Sequence, residues 1–345
     1  MSGSRQARSA TAVRPEVALR AEAIRKIFRL RGSEGRRRAV QAVSEVSLEL
    51  RRGSVLALVG ESGCGKSTVA RLLARLYPLT SGTLWLDGEK VAGRGGRARR
   101  KYASQVQIVL QDPFSSLNAS HSIRHHLVRP LLLHRRGSHP GTLDEEAVRL
   151  LEEVNLAPGA DFLRRYPHEL SGGQRQRVSI ARSLAVEPEV LLADEPVSML
   201  DVSIRLEILR LLGRLVADRN LAMLYITHDI ASARYFATET AVMYAGELVE
   251  QGPSEQVTQN PQHPYTQLLL ASVPDPDRAA AGDTGRTAPG EPPDLAALPA
   301  GCRFHPRCPF AGKRCSTDAP PAVDVGDSHW ARCWLFAPGG VTGEP

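Results

Sequence analysis

No stretch of this chain approaches the roughly 18 uninterrupted apolar residues that a membrane-spanning helix requires. The first ten residues, MSGSRQARSA, lack the apolar core of a secretory leader, so a cytoplasmic location is the expectation. Aromatic residues are scarce, at 5% of 345 residues. None falls within the arginine runs at Arg36–Arg38, Arg97–Arg100 and Arg135–Arg136. A single-strand nucleic-acid platform needs aromatics beside its cations. The net charge of +7 is therefore read as a solvated, Arg-rich surface suited to a protein partner or anionic lipid, and no nucleic-acid ligand is expected. No internal repeat is visible. What the chain does have is 42% hydrophobic residues, enough to bury a sizeable core.

From about residue 17 to 265 short apolar runs alternate with amphipathic stretches, the pattern of an α/β domain. Val55–Val59 (VLALV) and Val190–Ala193 (VLLA) are continuous apolar runs closed by glycine or polar residues, and they predict buried parallel strands. Ala222–Thr227 (AMLYIT) predicts a third. In the helical region between the first two, Thr142 and Glu145 have capping-box spacing, and Ala147, Leu150, Leu151 and Val154 follow on one helical face. After about residue 273 the composition turns to Pro, Asp, Ala and Gly, which predicts a linker before a short cysteine-bearing segment.

Gly60 to Ser67 reads GESGCGKS and matches G-x-x-x-x-G-K-[ST], after a predicted strand and before a predicted helix. The physics accounts for each residue type. At Gly60, Gly63 and Gly65 no Cβ stops the backbone N–H groups from closing on an anion. The following helix, predicted from Ser67 to about Tyr77, turns its positive end to phosphate and stops before Pro78. Lys66 reaches the β- and γ-phosphates and the Ser67 hydroxyl ligates Mg²⁺, with Ser62 and Thr68 in the same nucleotide-facing set. Cys64 reads as a small loop residue, and as a candidate for alkylation.

The strand at 190–193 ends in two successive carboxylates. Asp194 is placed to hold Mg²⁺ through its water shell, and Glu195 to polarise an attacking water. The segment Leu170-Ser171-Gly172-Gly173-Gln174 then offers backbone N–H groups at the start of another helix, a second anion site in one chain.

These residues resemble the phosphate loop, carboxylate pair and signature sequence of the ABC ATPases. The resemblance implies a P-loop core with a mostly parallel sheet. It also implies an N-terminal antiparallel β subdomain, a helical signature subdomain and a small Cys-rich extension. It implies that two cassettes pack head to tail, so that ATP lies between Lys66 of one and Ser171, Gly172, Gly173 and Gln174 of the other. Gln111 resembles the glutamine that senses Mg²⁺ and the γ-phosphate and contacts the membrane subunits. Asp201, in Ser198-Met199-Leu200-Asp201, resembles the D-loop aspartate, although alanine is commoner where Met199 stands. His228 resembles the switch histidine that bonds the γ-phosphate. Phe28 is placed either as the aromatic that stacks on adenine or as a core residue, because the arginine-rich insertion at 31–38 alters the usual spacing.

The segment Asn260 to Thr266 (NPQHPYT) is similar to the C-terminal extension of ATPases that drive oligopeptide, dipeptide, nickel and some sugar importers. The resemblance implies residues 17–265 as the ATPase domain, 266–298 as extension and linker, and 299–336 as a Cys-rich module, flanked by an unstructured 1–16 and a tail at 337–345. It further implies two membrane permease subunits, a solute-binding protein, a second cassette that is a copy or a paralogue, and a place on the cytoplasmic face of the cell membrane. Peptides are the cargo it favours. The alternatives are another solute or a non-transport ABC ATPase.

Cys302, Cys308, Cys315 and Cys333 do not have the C-x₂-C spacing usual for zinc. A disulfide framework is disfavoured in a cytosolic protein, so four thiols in one short segment suggest a metal site. The family resemblance favours a [4Fe–4S] cluster. Zinc, with His305 or His329 as a substitute ligand, and unligated thiols are the other readings.

Overall fold

The computed structural model describes residues 16–31, 37–93, 95–112, 116–134, 142–272 and 290–338. Expectations for residues 1–15, for the insertion at 32–36, for the linker at 273–289 and for the tail beyond 338 lie outside them.

Two sheets build the molecule. In the smaller, β1 (Val17–Arg31) pairs antiparallel with β2 (Arg37–Arg51) and β4 (Ser81–Leu86), and β4 pairs with β5 (Glu89–Lys90). This is the expected antiparallel subdomain. The larger sheet has a parallel centre made of β3 (Ser54–Val59), β6 (Val106–Val109), β7 (Val190–Asp194), β8 (Ala222–Thr227) and β9 (Glu239–Tyr244), in the spatial order β9-β3-β8-β7-β6. The three strands predicted from apolar runs are its three middle members. Burial on both faces explains why those runs are continuous. In β3 the side chains of Val55, Ala57 and Val59 enter one hydrophobic core, while Leu56 and Leu58 enter the other.

The helical arm lies between β6 and β7. Its helix Leu143–Glu153 opens on the predicted capping box, with Thr142 accepting from the Glu145 N–H and Glu145 reaching back. Ala147, Leu150, Leu151 and Val154 are all buried. The helix after the glycine loop, α1 (Lys66–Leu73), stops four residues short of the expected Tyr77. The cause is local. Arg75 adopts φ 55°, the Arg75 N–H bonds the Leu72 carbonyl and the Leu76 N–H bonds the Arg71 carbonyl, a Schellman closure made without glycine.

The Cys-rich segment does not sit apart from the ATPase sheet. β10 (Glu247–Pro253) runs antiparallel to β9, and the hairpin β11 (Ala322–Gly326) and β12 (His329–Arg332) continues the sheet through Glu250↔Ala331 and Gln251↔Trp330. Glu250 is fully buried there and accepts from the backbone N–H groups of Gln262 and His263 and from His329 Nε2 at 2.7 Å. Three donors are what a buried carboxylate requires. They tie the NPQHPYT segment and the C-terminal hairpin to one strand. Among the described residues no helix is long and apolar enough to cross a membrane.

Candidate active site

The sheet's register gathers the site. Val59 at the end of β3 lies beside Thr227 at the end of β8, Asp194 beside Ile226, and Val109 beside Ala193. The segments leaving these four strands therefore emerge side by side, at the carboxyl edge where open α/β sheets bind ligands. They carry Gly60–Ser67, His228, Asp194–Glu195 and Gln111.

The loop from Gly60 to Gly65 is fixed by its glycines. A Cβ on Gly60 would stand 2.2 Å from the Met243 carbonyl oxygen, and one on Gly65 would stand 2.3 Å from that of Ala42. Gly65 also holds φ 112° as the residue before α1, and no side chain caps that helix. The first-turn N–H groups, including that of Thr68, thus have no side-chain acceptor, the property of an anion-binding helix start. Lys66 is buried, and its ammonium donates to the carbonyls of Gly60 at 2.7 Å and Glu61 at 2.9 Å. Ser62 and Gly63 are exposed at the rim. Cys64 is buried, and that burial pushes its thiol up against the lowering effect of Lys66.

The Ser67 hydroxyl donates to Asp194 Oδ1 at 2.8 Å, so two of the three residues expected at Mg²⁺ are in direct contact. Burial raises the Asp194 carboxyl above its ordinary value, against the lowering effect of Ser67, Arg71 and Lys66. A hydroxyl and a buried carboxylate converging beside a phosphate loop fit a hard, oxygen-binding dication. Next door, Glu195 holds φ 47°, a left-handed conformation that costs a non-glycine residue about 1–3 kcal/mol. Its carboxylate accepts from Gln111 Nε2 at 3.0 Å and lies 3.4 Å from His228 Nδ1. Three residues 33 to 117 positions apart meet on one oxygen. Gln111, expected near Mg²⁺, is bonded to Glu195 here.

The second glycine pair lies at the start of the helix Gly172–Leu184. Ser171 accepts from the Gln174 N–H, and Gln174 accepts from the Ser171 N–H. The two glycines differ in a way the sequence concealed. A Cβ on Gly173 would come within 2.7 Å of Ile204 Cγ2, whereas one on Gly172 would meet only Leu200 Cδ2 at 3.5 Å. Gly173 is a packing residue, and Gly172 leaves room for a Cβ at ordinary contact distance. Asp201 precedes the helix Val202–Arg219 and is exposed, as are Met199 and Val202 around it. Phe28 is half-buried and packs edge-on against Tyr77 with centroids 5.5 Å apart, the Lys26 ammonium 4.9 Å from its ring. Those are neighbours of a packing residue.

Cys302, Cys308, Cys315 and Cys333 line a single cavity together with His263, Phe304 and Trp334. Cys302 is pushed up to about 12, and Cys308 and Cys333 to about 11, all by burial. Each of these three also receives a backbone N–H bond from two residues on, at Phe304, Phe310 and Leu335, which favours the thiolate. Among the described residues, no three His, Cys, Asp or Glu side chains are grouped closely enough to hold a metal ion as they stand. The donor set suits a four-thiolate group; the spacing is wider than ligation. His329 Nε2 bonds Glu250 and His305 Nδ1 bonds the Cys302 carbonyl, contacts that engage one nitrogen of each ring and leave the other as a potential metal ligand. His263, given no chemical role from sequence, is the N-cap of the helix Pro264–Ala271, and burial lowers its pKa to about 4.

A chain folded in this way, with these groups at one sheet edge, is an ABC-type ATPase. Its sequence matches the ABC transporter family over residues 43–198 and the C-terminal region of oligopeptide/dipeptide transporters over 249–315. It is 42% identical over 303 residues to a probable peptide ABC transporter ATP-binding protein of Sinorhizobium fredii, covering 87% of this chain and 84% of that one. It is 39% identical over 331 residues to the oligopeptide transport ATP-binding protein AppF of Bacillus subtilis, covering 95% and 100%. Among solved structures, the dimeric ATP-binding cassette MJ0796 in a post-hydrolysis state with ADP and Pi superposes with a TM-score of 0.60 at 28% identity, covering 68% of this chain and 98% of that one. The chain belongs to the ATP-binding subunits of ABC transporters, in the group that carries the oligopeptide/dipeptide C-terminal region.

Proposed function

We propose that this subunit hydrolyses ATP to drive import of oligopeptides or dipeptides, as one of two cassettes docked head to tail on the cytoplasmic side of two permease subunits fed by a solute-binding protein. The convergence of Gln111 and His228 on Glu195, beside the Ser67–Asp194 contact, is the observation that carries it. Glu195 orients the attacking water, with Gln111 and His228 fixing its carboxylate. Lys66 and the first-turn N–H groups of α1 hold the phosphates. Ser67 and Asp194 would hold Mg²⁺, which supplies charge neutralisation at the phosphates. The exposed Asp201 and the N–H groups at Gly172 and Gly173 face the partner cassette. The peptide cargo rests on what the relatives are named for and on the matching C-terminal region. With co-purified permease subunits in liposomes, peptide-loaded binding protein should raise ATP turnover, and DNA or ribosomes should not. Stimulation by a loaded nickel or sugar receptor in its place would reassign the cargo.

We also propose that Cys302, Cys308, Cys315 and Cys333, which line one cavity at a spacing wider than ligation, would draw together to hold a [4Fe–4S] cluster. Anaerobic purification should yield brown protein containing iron and acid-labile sulfide. Colourless protein binding one zinc would assign the site to zinc instead.

A further inference from the structure

The glycine loop carries an acidic residue, Glu61, at the mouth of a site for a polyanion. A carboxylate there repels triphosphate unless a cation holds it aside. The cation comes from 246 positions away. Arg307 Nη1 donates to Glu61 Oε2 at 2.8 Å and Nη2 to Oε1 at 3.0 Å, a two-point fork that only arginine can make. The Arg307 side chain is 7% exposed and lies near the rings of Tyr244 and Phe304. Its position is therefore set by packing.

Two further contacts hold the same loop. The Glu61 N–H donates to the Tyr265 hydroxyl at 2.9 Å, and Tyr265 is fully buried against Tyr244 and Phe304. The Cys64 carbonyl accepts from the Gly246 N–H at 2.8 Å. That turn is gripped in turn by Arg303, which donates to the Ala245 carbonyl and to Ser44 Oγ at 3.0 Å. Arg303 and Arg307 both lie between Cys302 and Cys308. The phosphate loop and the four-thiol cavity thus share one short piece of chain.

We propose that Arg307 is a positioning residue for ATP binding, holding the Glu61 carboxylate off the nucleotide and fixing the loop through which Lys66 and the α1 N–H groups reach phosphate. This rests on residues 60–67 being the phosphate loop. In the ATPase assay on the assembled transporter, Arg307→Ala should raise the KM for ATP roughly tenfold with kcat within about twofold, because the Glu61 carboxylate is released toward the phosphates while Glu195 is untouched. Arg307→Lys, which keeps the charge and loses the fork, should recover only part of that loss. Glu61→Gln keeps the loop's shape at a partly exposed position and removes the repulsive charge. Combined with Arg307→Ala it should bring KM back toward the parent value.

Lys66→Ala separates the two levels of the argument. It should abolish ATP binding measured by equilibrium titration, and retained binding would overturn the phosphate-loop reading itself. If Lys66→Ala abolishes binding while Arg307→Ala lowers the melting temperature and leaves KM unchanged, Arg307 is purely structural and the proposal is wrong. It is equally wrong if Glu61→Gln and Arg307→Ala worsen KM independently.

Discussion

Replacing Glu195 with Gln should lower ATP turnover by about 10²–10⁴-fold, the range a positioned general base supplies, while leaving ATP affinity within about twofold. Three features of the site set this expectation. Gln111 donates to Glu195 Oε2 and His228 Nδ1 is close to the same oxygen, so the carboxylate is held in one orientation. A glutamine has the same shape and keeps an acceptor oxygen, so the local packing survives. It cannot take a proton from water, and its amide nitrogen facing the Gln111 amide would place two donors together. The left-handed backbone at Glu195 is a further sign that the site is shaped for this side chain, since that strain must be offset elsewhere in the fold. Single-turnover assays with radiolabelled ATP separate the chemical step from binding. Wild-type turnover in this variant would remove Glu195 from the chemistry and leave His228 as the residue to test next.

The parts of this site legible in the sequence were those built from contiguous residues. A phosphate loop must be contiguous because neighbouring N–H groups close on one anion, so GESGCGKS is visible as a string. The strands were visible because burial on both faces forces unbroken apolar runs. What stayed hidden depends on pairs far apart in the chain. The Arg307–Glu61 fork spans 246 positions, and the segment holding Arg307 announced only its cysteines. One signal was available. An acidic residue inside an anion-binding loop demands a cation, and asking where the partner of Glu61 lies would have pointed beyond the loop. The early end of α1 was hidden for another reason. Pro78 gives a sharp stop, but Arg75 closes the helix first by taking a backbone conformation normally left to glycine. The continuation of the ATPase sheet into the C-terminal hairpin was masked by the linker composition before it, although Glu250 and His329 join the two.

The second large effect concerns the signature segment, where the capping role and the nucleotide role of the same residues can be pulled apart. Ser171 and Gln174 form a complete capping box, so on stability alone this is an ordinary helix start. Gly172→Asp tests whether it is more. A Cβ at Gly172 meets nothing closer than Leu200 Cδ2 at 3.5 Å, so the side chain fits. A negative charge in the first turn of a helix stabilises it by about 0.3–1 kcal/mol. The variant should therefore unfold no more readily than the parent. If a partner cassette presents its ATP phosphates to this helix, the same charge repels them and blocks the N–H groups. Turnover should then fall by about 100-fold, the scale set by removing one donor from a charge-stabilising site. ATP binding to the isolated chain, which uses its own loop at 60–67, should be unaltered. Gly172→Asn, of the same size without the charge, should lose much less. Gly173→Asp cannot serve, because its Cβ would collide with Ile204 at 2.7 Å and confound catalysis with folding. If Gly172→Asp keeps parental turnover in the assembled transporter, the segment is a capped helix and nothing further, and the head-to-tail arrangement of cassettes loses its second anion site.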